Sequence, residues 1–155
     1  MRSFKGLAFM LLLVAGAVQA AGVDFSGNWT LNTAKGENLG MVAAIQESLV
    51  VTQTDAALTI AFTDVFQGNT TTRQTEYDLS GAAVQNFAAM GEASQTVSRW
   101  EGDTLITTWT SEGAIVGTEV VKIETRKLIE DGQSMSVETA REGRPSMILV
   151  YDRPE

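Results

Sequence analysis

Few residues in this 155-residue chain can do chemistry, because it contains no His and no Cys. That composition excludes a thiol nucleophile, a disulfide, a Ser-His-Asp arrangement and His-ligated zinc, haem or copper. Carboxylate, tyrosine and arginine chemistry is what remains. The pairs Glu76/Asp78 and Glu101/Asp103 have the residue types for acid–base work, but both members of each pair share one strand or turn face. They read as solubilising charge directed into solvent. Arg73, Thr75, Tyr77 and Leu79 share another face, so if Tyr77 and Leu79 point into a core, Arg73 does too. A buried guanidinium then needs an anionic partner, either a carboxylate or a ligand head group. The alternative is an edge strand with Arg73 solvated. Tyr151 likewise has two readings, a single hydroxyl among the apolar walls of a ligand site or a core tyrosine bonded to backbone. No Gly-rich phosphate loop and no calcium-loop spacing occurs, so no cofactor and no metal is implied.

The elements that must position these residues are strands. Leu49–Gln53 reads as one, and Leu58, Ile60 and Phe62 alternate with polar or small residues in the next. Thr70–Leu79, Ser94–Trp100, Leu105–Thr110, Thr118–Leu128, Ser134–Arg141 and Met147–Tyr151 follow. Turn signals separate them at Gln67-Gly68-Asn69, Glu101-Gly102-Asp103, Ser111-Glu112-Gly113, Glu130-Asp131-Gly132 and Glu142-Gly143. Two segments depart from the strand pattern. In 36–47, Leu39, Val42 and Ile45 fall at helical spacing behind a candidate cap at Asn38, which predicts a short helix or folded loop. It would serve as a lid over a barrel mouth or as plain core at the barrel bottom. In 82–91, Val84, Phe87 and Met90 are spaced by three between Gly81 and Gly91, which suits a helical turn or a mobile apolar loop.

Phe25, Gly27, Trp29 and Leu31 share one face of a first strand. A Gly two residues before a Trp lets other groups close over the indole. Gly27 and Trp29 are therefore read as structural, with Trp29 plugging a closed end. Ahead of that strand, Arg2 and Lys5 precede an apolar run, Leu7–Val18, that ends in Ala17-Val18-Gln19-Ala20. This is the layout of a secretory signal peptide over residues 1–20, leaving one domain at 21–155. About twelve apolar residues are too few to span a bilayer. Removing residues 1–20 takes away two cations and no acid, so the net charge of −8 becomes −10. An acidic exported domain of this kind is a poor partner for nucleic acid or anionic membranes, and no stable membrane insertion is expected.

About 8–10 sequential strands with local turns and no βαβ pattern predict an all-β, antiparallel up-and-down barrel, because closure removes both sheet edges. A β-sandwich is the rival, and it would need longer crossovers. Phe62, Arg73, Tyr77, Trp109, Val121, Ile123, Met135, Val137, Met147 and Tyr151 are the candidate interior residues. They suit a ligand cavity and a packed core equally.

Phe25-x-Gly27-x-Trp29-x-Leu31 resembles the opening of lipocalins and intracellular fatty-acid-binding proteins. Trp100-Glu101-Gly102-Asp103-Thr104-Leu105-Ile106, Glu130-Asp131-Gly132-x-x-Met135-x-Val137 and the closing Leu149–Arg153 resemble a bacterial group of exported lipocalin-like domains. The resemblance implies a barrel that holds a small molecule. It also implies an Arg-x-Tyr on the last strand for a fatty-acid carboxylate, and here this chain departs. Tyr151 matches the Tyr, but Leu149 stands where the Arg belongs, so fatty-acid binding is not carried over.

Three functions follow as expectations. The first is an exported binding module for a small apolar or amphipathic ligand, in the periplasm or outside the cell. The second is a ligand-free interaction barrel presenting the 82–91 loop to a partner. The third is a small-barrel enzyme using Tyr151 or a buried carboxylate, which requires an inward carboxylate near Tyr151 and Arg73. Oligomeric state is not readable from the sequence.

Overall fold

The computed structural model describes residues 22–88 and 91–155; the signal-peptide expectation and Met90 lie outside them. Ten strands follow one another: β1 (Gly27–Leu31), β2 (Gln46–Gln53), β3 (Ala57–Phe66), β4 (Asn69–Asp78), β5 (Val84–Phe87), β6 (Ala93–Glu101), β7 (Thr104–Glu112), β8 (Glu119–Ile129), β9 (Ser134–Arg141) and β10 (Arg144–Asp152). They form one antiparallel sheet in the order β4-β3-β2-β1-β10-β9-β8-β7-β6-β5. Every sequential neighbour pairs except β4 with β5, and β1 joins β10, so the meander curls into a nearly closed up-and-down barrel. The predicted fold class is the one observed.

A side chain bridges the one unpaired seam. Asn86 on β5 donates from Nδ2 to the Glu76 carbonyl of β4 at 2.7 Å, and its Oδ1 accepts the Glu76 N–H at 3.1 Å. The amide thus copies the donor and acceptor of a strand backbone. Thr96 Oγ1 holds it from the other side at 2.8 Å. This seam is where sequence periodicity misleads. The 82–91 segment contains a short strand, not a helical turn, with Asn86 buried and Phe87 59 % exposed. The 36–47 segment holds no α-helix either. A single 3-10 turn spans Gly40–Ala44, Asn38 donates to the Ser146 carbonyl at 2.8 Å and does not cap it, and β2 already starts at Gln46.

One end of the barrel is closed around Trp29. The indole is buried and donates from Nε1 to the Phe25 carbonyl at 2.9 Å, while Phe25 stacks on Trp100 with ring centres 5.9 Å apart. The Arg153 guanidinium lies over the Trp29 ring at 4.2 Å and donates to the Gly132 and Ser26 carbonyls. Gly27 makes room for it. Its φ is +128°, and a Cβ there would meet Arg153 Nη1 at 2.6 Å. The group that closes over the indole is therefore the guanidinium of the C-terminal segment.

β8 reverses one expectation. Val121 and Ile123 point out of the barrel, 45 % and 44 % exposed, and the inward face carries Lys122, Glu124, Arg126 and Leu128. The ladders on both sides impose this phase, with Trp109 opposite Lys122, Leu105 and Val137 opposite Arg126, and Met135 opposite Leu128. A one-residue slip that buried Val121 and Ile123 would break that register with the larger apolar residues of β7 and β9.

Candidate functional site

Inside the barrel lies a cavity of about 290 Å³, against whose mouth sit Val42 of the 3-10 turn, Ile45 just after it, Phe87 at the end of β5 and Ala88 next to it. Seven of the ten candidate interior residues line it: Phe62, Arg73, Tyr77, Trp109, Val137, Met147 and Tyr151. Met135 lies fully buried in the adjoining core, and Val121 and Ile123 are excluded by the phase of β8. Trp109 meets the Tyr77 ring edge-on, with centroids 5.9 Å apart. Two larger grooves, of about 560 and 660 Å³, lie along β8 and β9 around Val121 and Ile123 and beside Trp100 at the closed end, but the buried charged side chains converge on the interior cavity.

Those charges were only half anticipated. Arg73 does point inward although β4 is a sheet edge, and its partner is Glu47 on β2, with Nη2 to Oε2 at 3.0 Å. Asp64 stands directly opposite Glu47 on β3, and Arg73 Nε lies 3.6 Å from Asp64 Oδ2. One guanidinium thus sits between two carboxylates that face each other across a ladder, a pairing that is unfavourable without it. The Arg73 guanidinium also lies flat on the Phe62 ring at 3.4 Å. Tyr151 donates its hydroxyl to Glu47 Oε1 at 2.5 Å. It is therefore a buried tyrosine bonded to a side chain, a partner that neither of its two readings named. A second ion pair lies on β8, where Arg126 Nη2 donates to Glu124 Oε1 at 2.6 Å and Nη1 to Met135 Sδ at 3.5 Å.

Burial sets the protonation of this cluster. Glu47 is 8 % exposed. Desolvation, reinforced by Asp64, pushes its carboxyl up to about 7 against the opposing pull of Tyr151 and Arg73. Burial and the Glu47 carboxylate together hold the Tyr151 hydroxyl well above its ordinary value, so it stays a donor. Burial alone would lower Arg126; the Glu124 carboxylate and Tyr77 more than offset it, and the net shift is upward.

Glu47 carries a pH signature. Between its ordinary value of 4.5 and about 7, the unfolded chain has released a proton that the folded chain keeps. The stability this proton confers is complete below pH 4.5 and is lost as pH rises to about 7. Over that interval wild type loses about 3 kcal/mol relative to Glu47→Gln, which has no proton to lose there. Urea unfolding of both proteins at several pH values reads the difference, and parallel profiles would refute it.

Among the charged residues of the wall, Glu47, Asp64, Lys122, Glu124 and Arg126 are those that the sequence reading missed. Asp64 continues the inward phase of Leu58, Ile60 and Phe62, so alternation alone points to it. Glu47 precedes a run, Leu49-Val50-Val51, that is apolar on both faces and gives no phase.

No protein-family model matches this sequence, and no curated protein does. Solved structures do resemble it. The fluorescent protein UnaG superposes with a TM-score of 0.68 at 16 % identity, covering 84 % of this chain and 97 % of UnaG. A Schistosoma mansoni fatty-acid-binding protein in complex with arachidonic acid gives 0.67 at 13 % identity, covering 88 % of this chain and 100 % of that one. Human cRBP IV gives 0.64 at 15 %, covering 85 % and 99 %. At such identities the likeness establishes the fold alone, an up-and-down β-barrel.

Proposed function

We propose that this chain is an exported, lipocalin-like binding protein that holds a small apolar or amphipathic molecule inside its barrel. The observation that carries this reading is the interior cavity of about 290 Å³, walled by Phe62, Tyr77, Trp109, Val137, Met147 and Leu149. That volume is at the small end of ligand sites, which run from about 300 to 1,000 Å³. The arachidonic acid named for the Schistosoma mansoni protein supports an apolar guest in a barrel of this shape. The charged start and short apolar run of residues 1–20 support export, and the order of the Trp100–Ile106 and Glu130–Val137 motifs supports kinship with bacterial exported domains. The ligand-free interaction barrel loses support to the cavity, since Phe87, its proposed contact, lies at the cavity mouth.

Native mass spectrometry of the purified protein is expected to reveal a retained small molecule. Saturable quenching of Trp109, which lines the cavity, is expected on titration with apolar guests. Trp109→Phe removes that signal, because Trp29 and Trp100 belong to the closed end. A barrel that retains nothing and shows no saturable quenching would overturn the reading.

One observation favours a second reading. The inward carboxylate that acid–base catalysis requires is present, with Glu47 bonded to both Tyr151 and Arg73 and its carboxyl pushed up to about 7. A guest recovered with unchanged mass after incubation supports binding; a changed mass supports catalysis.

A further inference from the structure

Both oxygens of Glu47 are occupied within the cavity. Oε1 accepts the Tyr151 hydroxyl at 2.5 Å and Oε2 accepts Arg73 Nη2 at 3.0 Å. A hydroxyl and a guanidinium edge are what a buried guest carboxylate would itself require, since charge-assisted hydrogen bonds are the ones that offset desolvation. The other buried guanidinium, Arg126, is held by Glu124 at 2.6 Å. One acceptor and one donor are left over: Asp64 Oδ1 has no hydrogen-bond partner, and neither does Arg73 Nε, which lies 3.6 Å from the charge of Asp64 Oδ2.

We propose that Glu47 is a built-in substitute for a ligand carboxylate, so that the cavity selects an uncharged, hydroxyl-bearing apolar molecule over an anionic amphiphile. This deepens the binding reading given above and rests on it. The charge count of the wall points the same way. Glu47, Asp64 and Glu124 face Arg73, Lys122 and Arg126, so with Glu47 ionised the lining sums to zero. A guest carboxylate adds an uncompensated negative charge to a space with little water, and a guest ammonium adds a positive one. A hydroxyl adds neither and can donate to Asp64 by a small rotation of that side chain. Lys122 is the one lining cation without a carboxylate within 4 Å among the described residues, its ammonium lying 5.3 Å over the Trp109 ring. A carboxylate left at the mouth on Lys122 is the competing geometry.

Decanol, decanoate and decylamine share one tail and differ only in head group, so they separate these cases. Affinities are measured by Trp109 quenching and calorimetry on wild-type protein stripped of endogenous ligand. The measurement is made at about pH 8.5, above the Glu47 value of about 7, so that its carboxylate is charged. Decanol is expected to bind at least about tenfold tighter than decanoate or decylamine. In Glu47→Gln, Tyr151 and Arg73 become available to the guest, and decanoate is expected to gain at least about tenfold while decanol changes little. The wild-type ranking stands as a test even where that variant folds poorly. Decanoate or decylamine binding wild type as tightly as decanol would overturn the inference and leave the binding reading in place. Binding of none of the three would remove both.

Discussion

Trp29→Ala lowers the free energy of unfolding by about 4 kcal/mol, within the range of about 3–5 kcal/mol for deleting a fully buried aromatic core side chain. Three losses combine at this position. The indole is 1 % exposed, so its removal leaves a cavity at the closed end of the barrel. The Phe25 carbonyl loses the Nε1 donor at 2.9 Å. Arg153 loses the aromatic face beneath its guanidinium, with only the Gly132 and Ser26 carbonyls left to hold it. Domains of this size are stable by about 5–15 kcal/mol, so the variant retains little margin. Trp29→Phe separates the contributions. It keeps a ring under Arg153 and most of the packing, loses the indole N–H, and is expected to cost less than half as much. Urea unfolding of the three proteins measures the order. An alanine variant within about 1 kcal/mol of wild type would show that the closed end is not a stabilising plug.

The closed end is also the part most legible in the sequence. Gly27 and Trp29, two apart on a short strand, pointed to a closed end and to the need for a close approach, and only the identity of the approaching group, Arg153, waited for the structure. Hairpins announced by Gly-containing turns were placed within a residue or two, because turn chemistry is local. What the sequence hid is non-local. β5 is four residues long, presents Val84 and Phe87 at a spacing of three, and exists because it pairs with β6 while Asn86 bonds to β4. Nothing in hydrophobic periodicity carries that information.

The same limit explains the cavity. Hydrophobicity assigned Val121 and Ile123 to the interior, whereas the register with β7 and β9 turned Glu124 and Arg126 inward as an ion pair. The requirement that an inward Arg73 find an anion was stated from chemistry alone; that the anion is Glu47, 26 residues away and two strands over, needed the register of the β2-β3-β4 meander. Leu149, where the resembling family carries an Arg, lines the same cavity. A leucine at 149 and an ionised Glu47 both make the wall less receptive to an anion.

The β8 ion pair yields the second large effect. Arg126→Met is expected to destabilise the protein by about 3–5 kcal/mol, the cost of stripping one partner from a buried pair. Arg126 is 3 % exposed, and the Glu124 side chain it bonds is 14 % exposed. Methionine can occupy much of the vacated volume beside Met135, so lost packing is the smaller part of the cost. The larger part is the Glu124 carboxylate left in the cavity wall without its bonded guanidinium, the nearest inward cation on β8, Lys122, making no salt bridge to it in the wild type. The double variant Glu124→Leu/Arg126→Met removes that charge and is expected to recover most of the loss, since buried pairs replaced by apolar groups of similar volume are often neutral or stabilising. A double-mutant cycle from urea unfolding of the four proteins then gives a coupling energy of about 2–3 kcal/mol. If the double variant is as unstable as Arg126→Met alone, the cost lies in packing and not in an orphaned charge. In that case Arg126 is a core-filling stem, and the balance of three acids against three bases in the cavity wall ceases to govern what the barrel can hold.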